Sequence, residues 1–209
     1  MLIRKFGATK SPTFHILNVV RKLRQTFVQL VNFNKNNHVV VRPVTITITN
    51  LTVGIAHITS YPERPRPYTI YRVPLYRVTV SGTSNRNSRV TEEFEAIRFG
   101  VQRTLTRSAR IVGLADEQTH TLDWSNISTM PGFAWRVYDG FFIHKGPDNS
   151  LGGTMGSIGC VEICGAGEWD RFNNTIKLLT GVQDEHRIGN NRLLTAQYES
   201  ATRPPLIIV

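Results

Sequence analysis

The stretch Val44-Thr-Ile-Thr-Ile48 alternates apolar residues with threonine. A period of two is what a half-buried β-strand requires, because successive side chains point to opposite faces of a sheet. Leu51, Val53 and Ile55 repeat the alternation after Asn50. This part of the chain therefore predicts a β-rich fold.

Further strand-forming segments follow towards the C-terminus. Tyr68 to Val80 predicts a strand in which Pro74 marks an edge or a bulge, because proline cannot donate to a ladder. Phe133 to His144 is apolar and aromatic enough to be one buried strand, and Leu206 to Val209 predicts a short final strand. Val90 to Thr104 is ambiguous between strand and helix.

One segment has the period of a helix instead. Between Glu168 and Leu179, Trp169, Phe172 and Ile176 recur at a spacing that places them on one face. Gly181 can end this helix in the left-handed conformation. The predicted class is therefore α+β and β-rich, with few helices.

The positive charge is concentrated near the N-terminus. The formal net charge is +10, and no Asp or Glu occurs before Glu63. The basic residues of this acid-free stretch are Arg4, Lys5, Lys10, Arg21, Lys22, Arg24, Lys35 and Arg42. Such an arm suits an anionic partner, such as nucleic acid, a membrane surface or a cell-wall polymer. The alternative is a solvated basic face with no dedicated partner.

The segment from Thr13 to Asn32 predicts an amphipathic helix, because its apolar residues recur at helical spacing with basic residues between them. No small-residue cleavage site follows an apolar run, so no signal peptide is predicted. Charges near the middle of the segment exclude a membrane-spanning helix. We therefore divide the chain into a basic N-terminal arm, residues 1–37, and a single β-rich domain, residues 38–209.

The two cysteines, Cys160 and Cys164, are too close in sequence to pair across a strand, where their Cα atoms would be roughly 13 Å apart. No further cysteine completes a zinc site, and we predict no metal and no cofactor. Cys160 lies in Gly156-Ser-Ile-Gly-Cys-Val-Glu-Ile163, where a reactive thiol is the better explanation. Cys164 is expected to pack in the core.

His144 is the candidate partner of Cys160. It ends the apolar run in Phe142-Ile-His-Lys-Gly146, which would place its imidazole at the rim of a pocket. An imidazolium near a thiol lowers the pKa of that thiol and makes it a nucleophile. Gly159 allows a tight turn whose backbone N–H groups could form an oxyanion hole. The alternatives are an ordinary small core cysteine and a hydrogen-bonded core histidine.

These residues resemble the active-site motif of the L,D-transpeptidases of the YkuD type, in which an Ile-His-Gly element and a loop precede Ser-His-Gly-Cys. Ile143-His144, the spacing of 16 residues between His144 and Cys160, and Ser157-Ile-Gly-Cys160 match that motif. The resemblance spans residues 130–179 and implies a mixed β-sandwich with a catalytic domain over residues 38–209. The catalytic residues that it implies are Cys160, His144, Gly159 and Ser157.

Two positions depart from the family motif. Ile158 stands where the second histidine is expected, which leaves the role of base to His144. Glu162 stands where the family usually has arginine, and a carboxylate there would suit a cationic group or could orient His144. The candidate substrate-binding residues are Glu162, Tyr138, Lys145 and Asp148.

The resemblance implies a cysteine peptidase or acyltransferase that trims or cross-links peptidoglycan stem peptides through a Cys160 acyl-enzyme. Such a protein would be made in the cytoplasm and would act in the periplasm or cell wall after export or delivery. An antibacterial effector, with a delivery or immunity partner, would fit this route. Two alternatives stay open: an inactive cell-wall or protein-binding module on the same fold, and a basic nucleic-acid-binding protein. The second is disfavoured because it rests on charge alone.

Overall fold

The computed structural model describes residues 40–63, 66–127 and 132–209. The predicted amphipathic helix and the boundary at residue 37 lie outside these ranges and stay predictions. The chain divides into two units, Met1–Val40 and Val41–Val209, and the second contains all the described strands and helices. Among the described residues, no helix is long and apolar enough to cross a bilayer.

Strands hold 49% of the described residues and helices 12%, so the predicted β-rich α+β class is confirmed. The strands are β1 (Val44–Thr59), β2 (Tyr71–Thr83), β3 (Arg89–Ile97), β4 (Gly100–Thr104), β5 (Arg107–Val112), β6 (Gln118–Thr121), β7 (Asp123–Asn126), β8 (Phe133–Tyr138), β9 (Phe141–Lys145), β10 (Thr154–Met155), β11 (Val161–Ile163), β12 (Leu194–Tyr198) and β13 (Ile207–Ile208). The helices are α1 (Glu168–Thr180) and α2 (Glu185–Asn190).

Eleven strands form one mixed sheet in the described part of the chain. Its order is β6-β12-β1-β2-β3-β11-β9-β8-β7, with β10 beside β1 and β13 beside β2. β10 and β12 run parallel to β1, and β11 runs parallel to β9. β4 and β5 form a separate antiparallel hairpin. The parallel pair β9–β11 places His144 beside Glu162.

The two halves of β1 contribute buried side chains to two different hydrophobic clusters. Its first half buries Val44, Ile46 and Ile48 in the main core, to which α1 contributes Phe172 and Ile176. Its register against β2 shifts twice between Ile48 and Gly54. Beyond these irregularities, the second half of β1 buries its side chains in a smaller cluster. The bulged middle of β1 therefore separates the two cores.

The segment from Phe133 to His144 is a hairpin, so the prediction of one continuous strand is wrong. Asp139 has a φ of 45° and is followed by Gly140, and this pair turns β8 back into β9. An Asp-Gly pair tolerates the positive φ that a tight hairpin needs.

The structure contains the predicted helix and resolves the ambiguous segment as strands. α1 is confirmed, and Gly181 ends it with a φ of 74°. The ambiguous stretch Val90–Thr104 contains β3 and β4, and α2 was not predicted. Pro74 lies inside β2, where it pairs with Ile55 of β1. Pairing of β2 with β3 begins one residue later, at Leu75.

The buried side chain of Arg98 joins β1 to the segments that follow β5 and β12. The Arg98 guanidinium donates to three backbone carbonyl oxygens, and aromatic rings surround it. The acceptors are Leu114, Thr49 and Glu199, at 3.1, 3.0 and 2.6 Å, and the rings are those of Tyr76, Phe99 and Tyr198. The hydrogen bonds of the guanidinium therefore end on carbonyl oxygens rather than on a carboxylate.

Candidate active site

The neighbouring strands β9 and β11 carry the candidate residues on one face. In their parallel register, Glu162 is the partner of His144 and Val161 is the partner of Ile143. Ile143 and Val161 belong to the main core, so the alternating side chains of His144 and Glu162 point to the opposite face. Cys160 directly precedes β11. The predicted placement, with the histidine near the end of one strand and the cysteine just before another, is confirmed.

Cys160, His144 and Glu162 all line one cavity of about 300 Å³. Apolar side chains make up much of the rest of its wall: Tyr61, Ile127, Phe142, Pro147, Met155 and Ile158. A thiol, an imidazole and a carboxyl group are therefore held together in a small, largely apolar space. This is the setting in which polar groups interact strongly, because little water screens them.

The imidazole of His144 has one nitrogen fixed and the other open. Its side chain is buried, and Nδ1 lies 2.7 Å from the carbonyl oxygen of Lys145. Because a carbonyl oxygen can only accept, this bond assigns the hydrogen to Nδ1. Among the described residues, Nε2 is buried and has no hydrogen-bond partner. The neutral ring therefore has its lone pair at Nε2, which is the tautomer that a general base at this nitrogen requires.

The Cys160 thiol is less acidic than the sequence suggested. Its residue is 9% exposed, and Sγ lies 3.8 Å from the carbonyl oxygen of Gly140. Burial raises the pKa of the thiol to about 11, against the opposing effect of a backbone hydrogen bond from Phe142, and Glu162 raises it further. The expected pKa lowering by an imidazolium is therefore wrong for this geometry. No hydrogen bond joins Cys160 to His144 within the described chain.

Glu162 is hydrogen-bonded to the turn that precedes β11, residues 157–160, which we call the cysteine turn. Its carboxyl group is buried, and Oε1 accepts the backbone N–H of Ser157 at 2.8 Å. The Ser157 hydroxyl in turn donates to the carbonyl oxygen of Cys160 at 3.3 Å. Burial raises the pKa of Glu162, while His144 and the hydrogen bonds from Ser157 act in the opposite direction.

Close backbone packing fixes the same turn. Gly159 has a φ of 105°, and a Cβ there would meet the Cα of Gly113 at 2.8 Å. A Cβ on Gly100 would fall on the carbonyl oxygen of Ser157. The tight turn expected at Gly159 is confirmed, whereas its oxyanion role stays a prediction.

Of the other predicted substrate-binding residues, Lys145 lines the cavity and Tyr138 does not. Lys145 lines the cavity, but its Nζ pairs with Asp148 at 3.1 Å on the exposed side. Tyr138 does not line the cavity; it stacks on His120 and Phe141, with ring centroids 4.9 and 5.2 Å away. The expectation that Tyr138 lies beside the substrate therefore receives no support from its position.

Cys164 is buried in the smaller cluster, where burial raises its pKa to about 12. Its expected place in the core is confirmed. The described residues contain no group of three or more His, Cys, Asp or Glu side chains that could hold a metal ion.

Sequence reasoning missed three residues that shape the site. Tyr61 lines the cavity from the end of β1, and Gly100 and Gly113 pack against the cysteine turn. A glycine within a strand pattern is a weak signal of close backbone approach. The partner that approaches is not encoded locally, since all three residues lie more than 40 positions before Cys160.

Comparisons with protein-family models, curated proteins and solved structures found no match.

Proposed function

We propose that this protein is a cysteine acyltransferase of the L,D-transpeptidase type, acting on peptidoglycan stem peptides. The observation that carries the proposal is the cavity shared by Cys160 and His144, in which Nδ1 is fixed by a carbonyl oxygen and Nε2 is open. The motif resemblance supplies the substrate class, and we extend the proposal to an L,D-transpeptidase-like β-sandwich fold.

The first step is attack by the thiol on a peptide carbonyl. Because the pKa of Cys160 is about 11, its thiol is protonated at neutral pH. His144 Nε2 therefore accepts the proton from Sγ as the S–C bond forms, rather than meeting a preformed thiolate. A catalytic hydrogen bond of this kind often tightens only when substrate is bound.

The second step expels an amine and leaves a thioester. The carbonyl oxygen becomes an oxyanion, for which the backbone N–H groups at Gly159 and Cys160 are the candidate donors. His144 then gives its proton to the departing amine nitrogen as the C–N bond breaks. Attack by water on the thioester regenerates the thiol and trims the peptide, whereas attack by the amine of a second stem forms a cross-link.

A digestion of purified tetrapeptide muropeptides in the presence of a free D-amino acid tests this function. Mass analysis would show terminal-residue exchange for transfer, or tripeptide for hydrolysis, and Cys160→Ala would abolish either product. Unchanged tetrapeptide at high protein concentration would contradict the proposal. The substrate would place the protein's action in the periplasm or cell wall, reached by export or delivery.

An inactive binding module is the second candidate. Two observations favour it: the raised pKa of the Cys160 thiol and the lack of a hydrogen bond between Cys160 and His144 in the described chain. Both are expected of a cysteine that no longer acts as a nucleophile. In that case wild type and Cys160→Ala would bind peptidoglycan equally, and neither would change the muropeptides.

A further inference from the structure

A groove of about 1000 Å³ lies beside the active-site cavity and shares part of its wall. His144, Lys145 and Met155 line both spaces, so one extended molecule can occupy the two together. The other walls of the groove come from β7, β8 and the two helices, to which the proposed mechanism gives no role. The groove is therefore open to a ligand group that the chemistry at Cys160 does not require.

Three aromatic side chains line this groove together. The ring of Trp124 is nearly parallel to those of Phe133 and Trp169, at interplanar angles of 11° and 13°, and the ring centroids are 6.0 and 6.4 Å away. Phe133 is 47% exposed. Exposed aromatic surface on a concave wall is typical of a binding site rather than of a core.

Polar groups that lack a protein partner lie on the same groove. The side chains of Asp170 and Asn174 are exposed on α1 and make no hydrogen bond or ion pair within the described chain. The indole N–H groups of Trp124 and Trp169 also have no acceptor there, and neither nitrogen is buried. The groove therefore offers a carboxylate, an amide and two indole donors to a ligand.

The other charges on the wall of the groove cancel. Lys177 pairs with Glu185 at 2.6 Å, and Lys145 pairs with Asp148 at 3.1 Å. Asp170 is left as the unpaired charge among the described lining residues. A phosphate backbone needs several cationic contacts, so nucleic acid is disfavoured as the occupant. The groove suits an uncharged molecule that is apolar on its faces and polar at its edges.

A pyranose ring has this distribution of surface. Its C–H groups pack on aromatic rings, and its hydroxyls both donate and accept hydrogen bonds. We infer that the groove binds the sugar chain to which the stem peptide is attached, with sugar rings on the three aromatic side chains and hydroxyls on Asp170 and Asn174. The identity of this sugar chain rests on the proposed function, whereas saccharide binding itself requires no turnover.

The first test measures binding to the full-length protein. The chain has three tryptophans, and the third, Trp135, is fully buried and donates its indole N–H to Asn173 at 2.9 Å. The three indole signals are followed by ¹H–¹⁵N NMR during titration with tetra-N-acetylchitotetraose, a soluble chain of β-linked amino sugars. The signals of Trp124 and Trp169 should shift, and that of Trp135 should not. A shift at neither groove tryptophan, or an equal shift of all three signals, would overturn the inference.

Two variants and a matched control make this test specific. Phe133→Ala removes an exposed ring of the groove and should weaken tetrasaccharide binding about tenfold. Asn174→Ala should weaken it about fivefold by removing a hydrogen-bonding amide, and alanine favours the helix, so the loss would not come from a weaker α1. Tyr68→Ala removes a ring that is 37% exposed outside the groove and should leave binding unchanged. Equal loss in Tyr68→Ala, or no loss in either groove variant, would contradict the site.

A stem peptide without sugar is the competing occupant of the groove. Free tetrapeptide should leave the Trp124 and Trp169 signals nearly unchanged at concentrations at which the tetrasaccharide shifts them. Shifts by the peptide as large as those by the tetrasaccharide would assign the groove to peptide and overturn the inference.

The second test uses turnover and separates the two proposals. A disaccharide-tetrapeptide is compared with the same tetrapeptide freed of its sugars. Wild type and Tyr68→Ala should prefer the sugar-bearing substrate by about tenfold in kcat/KM, and Phe133→Ala should lose this preference. Turnover without the preference contradicts the inference alone. Binding of the tetrasaccharide at the two groove tryptophans, without turnover of either substrate, supports the inference and contradicts the proposed function.

Discussion

The pH dependence of Cys160 alkylation follows directly from the burial of its thiol. The perturbation is a change of pH in a Cys164→Ala background, so that one thiol is followed. The pKa of the Cys160 thiol is about 11, so pH 7 lies about four units below it. The thiol is then ionised in roughly one molecule in 10,000. A free cysteine, with a pKa of about 8.5, is ionised to roughly 3%.

The more basic thiolate is also more nucleophilic, which offsets part of this difference. With a Brønsted coefficient of about 0.4–0.5, the gain is roughly tenfold. Cys160 should therefore react with iodoacetamide roughly 30-fold more slowly than a free cysteine at pH 7, and limited access can only slow it further.

The assay is a series of labelling rates from about pH 6 to the highest pH at which the protein stays folded, read by intact mass. The rate should rise close to tenfold per pH unit through neutral pH, and Glu162→Gln should shift the profile to lower pH because Glu162 raises the pKa of the thiol. A rate that is flat between pH 6 and 9 would show a preformed thiolate and would contradict the raised pKa of Cys160.

Three further predictions concern stability and the cysteine turn. Arg98→Met should lower the free energy of unfolding in urea by about 3–5 kcal/mol, because three carbonyl oxygens lose their charged donor, whereas the exposed Arg110→Met should change it by about 0.5 kcal/mol at most. Gly100→Ala should displace the cysteine turn and lower muropeptide turnover at least tenfold, whereas Gly54→Ala, whose Cβ would make an ordinary contact at 3.4 Å, should not. The carboxyl of Glu162 has a raised pKa in the folded state, so its contribution to stability is present at low pH and is lost as pH rises above about 4.5. Urea unfolding of wild type relative to Glu162→Gln should show this decline, and a constant difference between about pH 4 and 8 would contradict it.

The elements that the sequence predicted well are those with a local signature. The alternation in Val44–Ile48 and the helical spacing of Trp169, Phe172 and Ile176 depend only on which face of each element is buried. The hairpin between β8 and β9 also had a local signal, in Asp139-Gly140, but the apolar character of its flanks suggested a single strand.

The chemistry of the site was less predictable because it depends on distant residues. The motif indicated that Cys160 and His144 would meet, and the parallel pairing of β9 with β11 brings them to one cavity. The burial that raises the thiol pKa comes from tertiary packing. Tyr138 stacks on His120, and its register against β9 is shifted relative to Arg136, which no local periodicity encodes.

Turnover of muropeptides by Cys160→Ala, His144→Ala and the double variant tests whether Cys160 and His144 form one catalytic unit. If the two side chains act as one catalytic unit, the two single losses and the double loss should be of comparable size. His120→Ala is the control, because its ring stacks on Tyr138 and lies outside the cavity lining. Near-normal turnover by His144→Ala, with loss of turnover in His120→Ala, would contradict the assignment of His144 as the base.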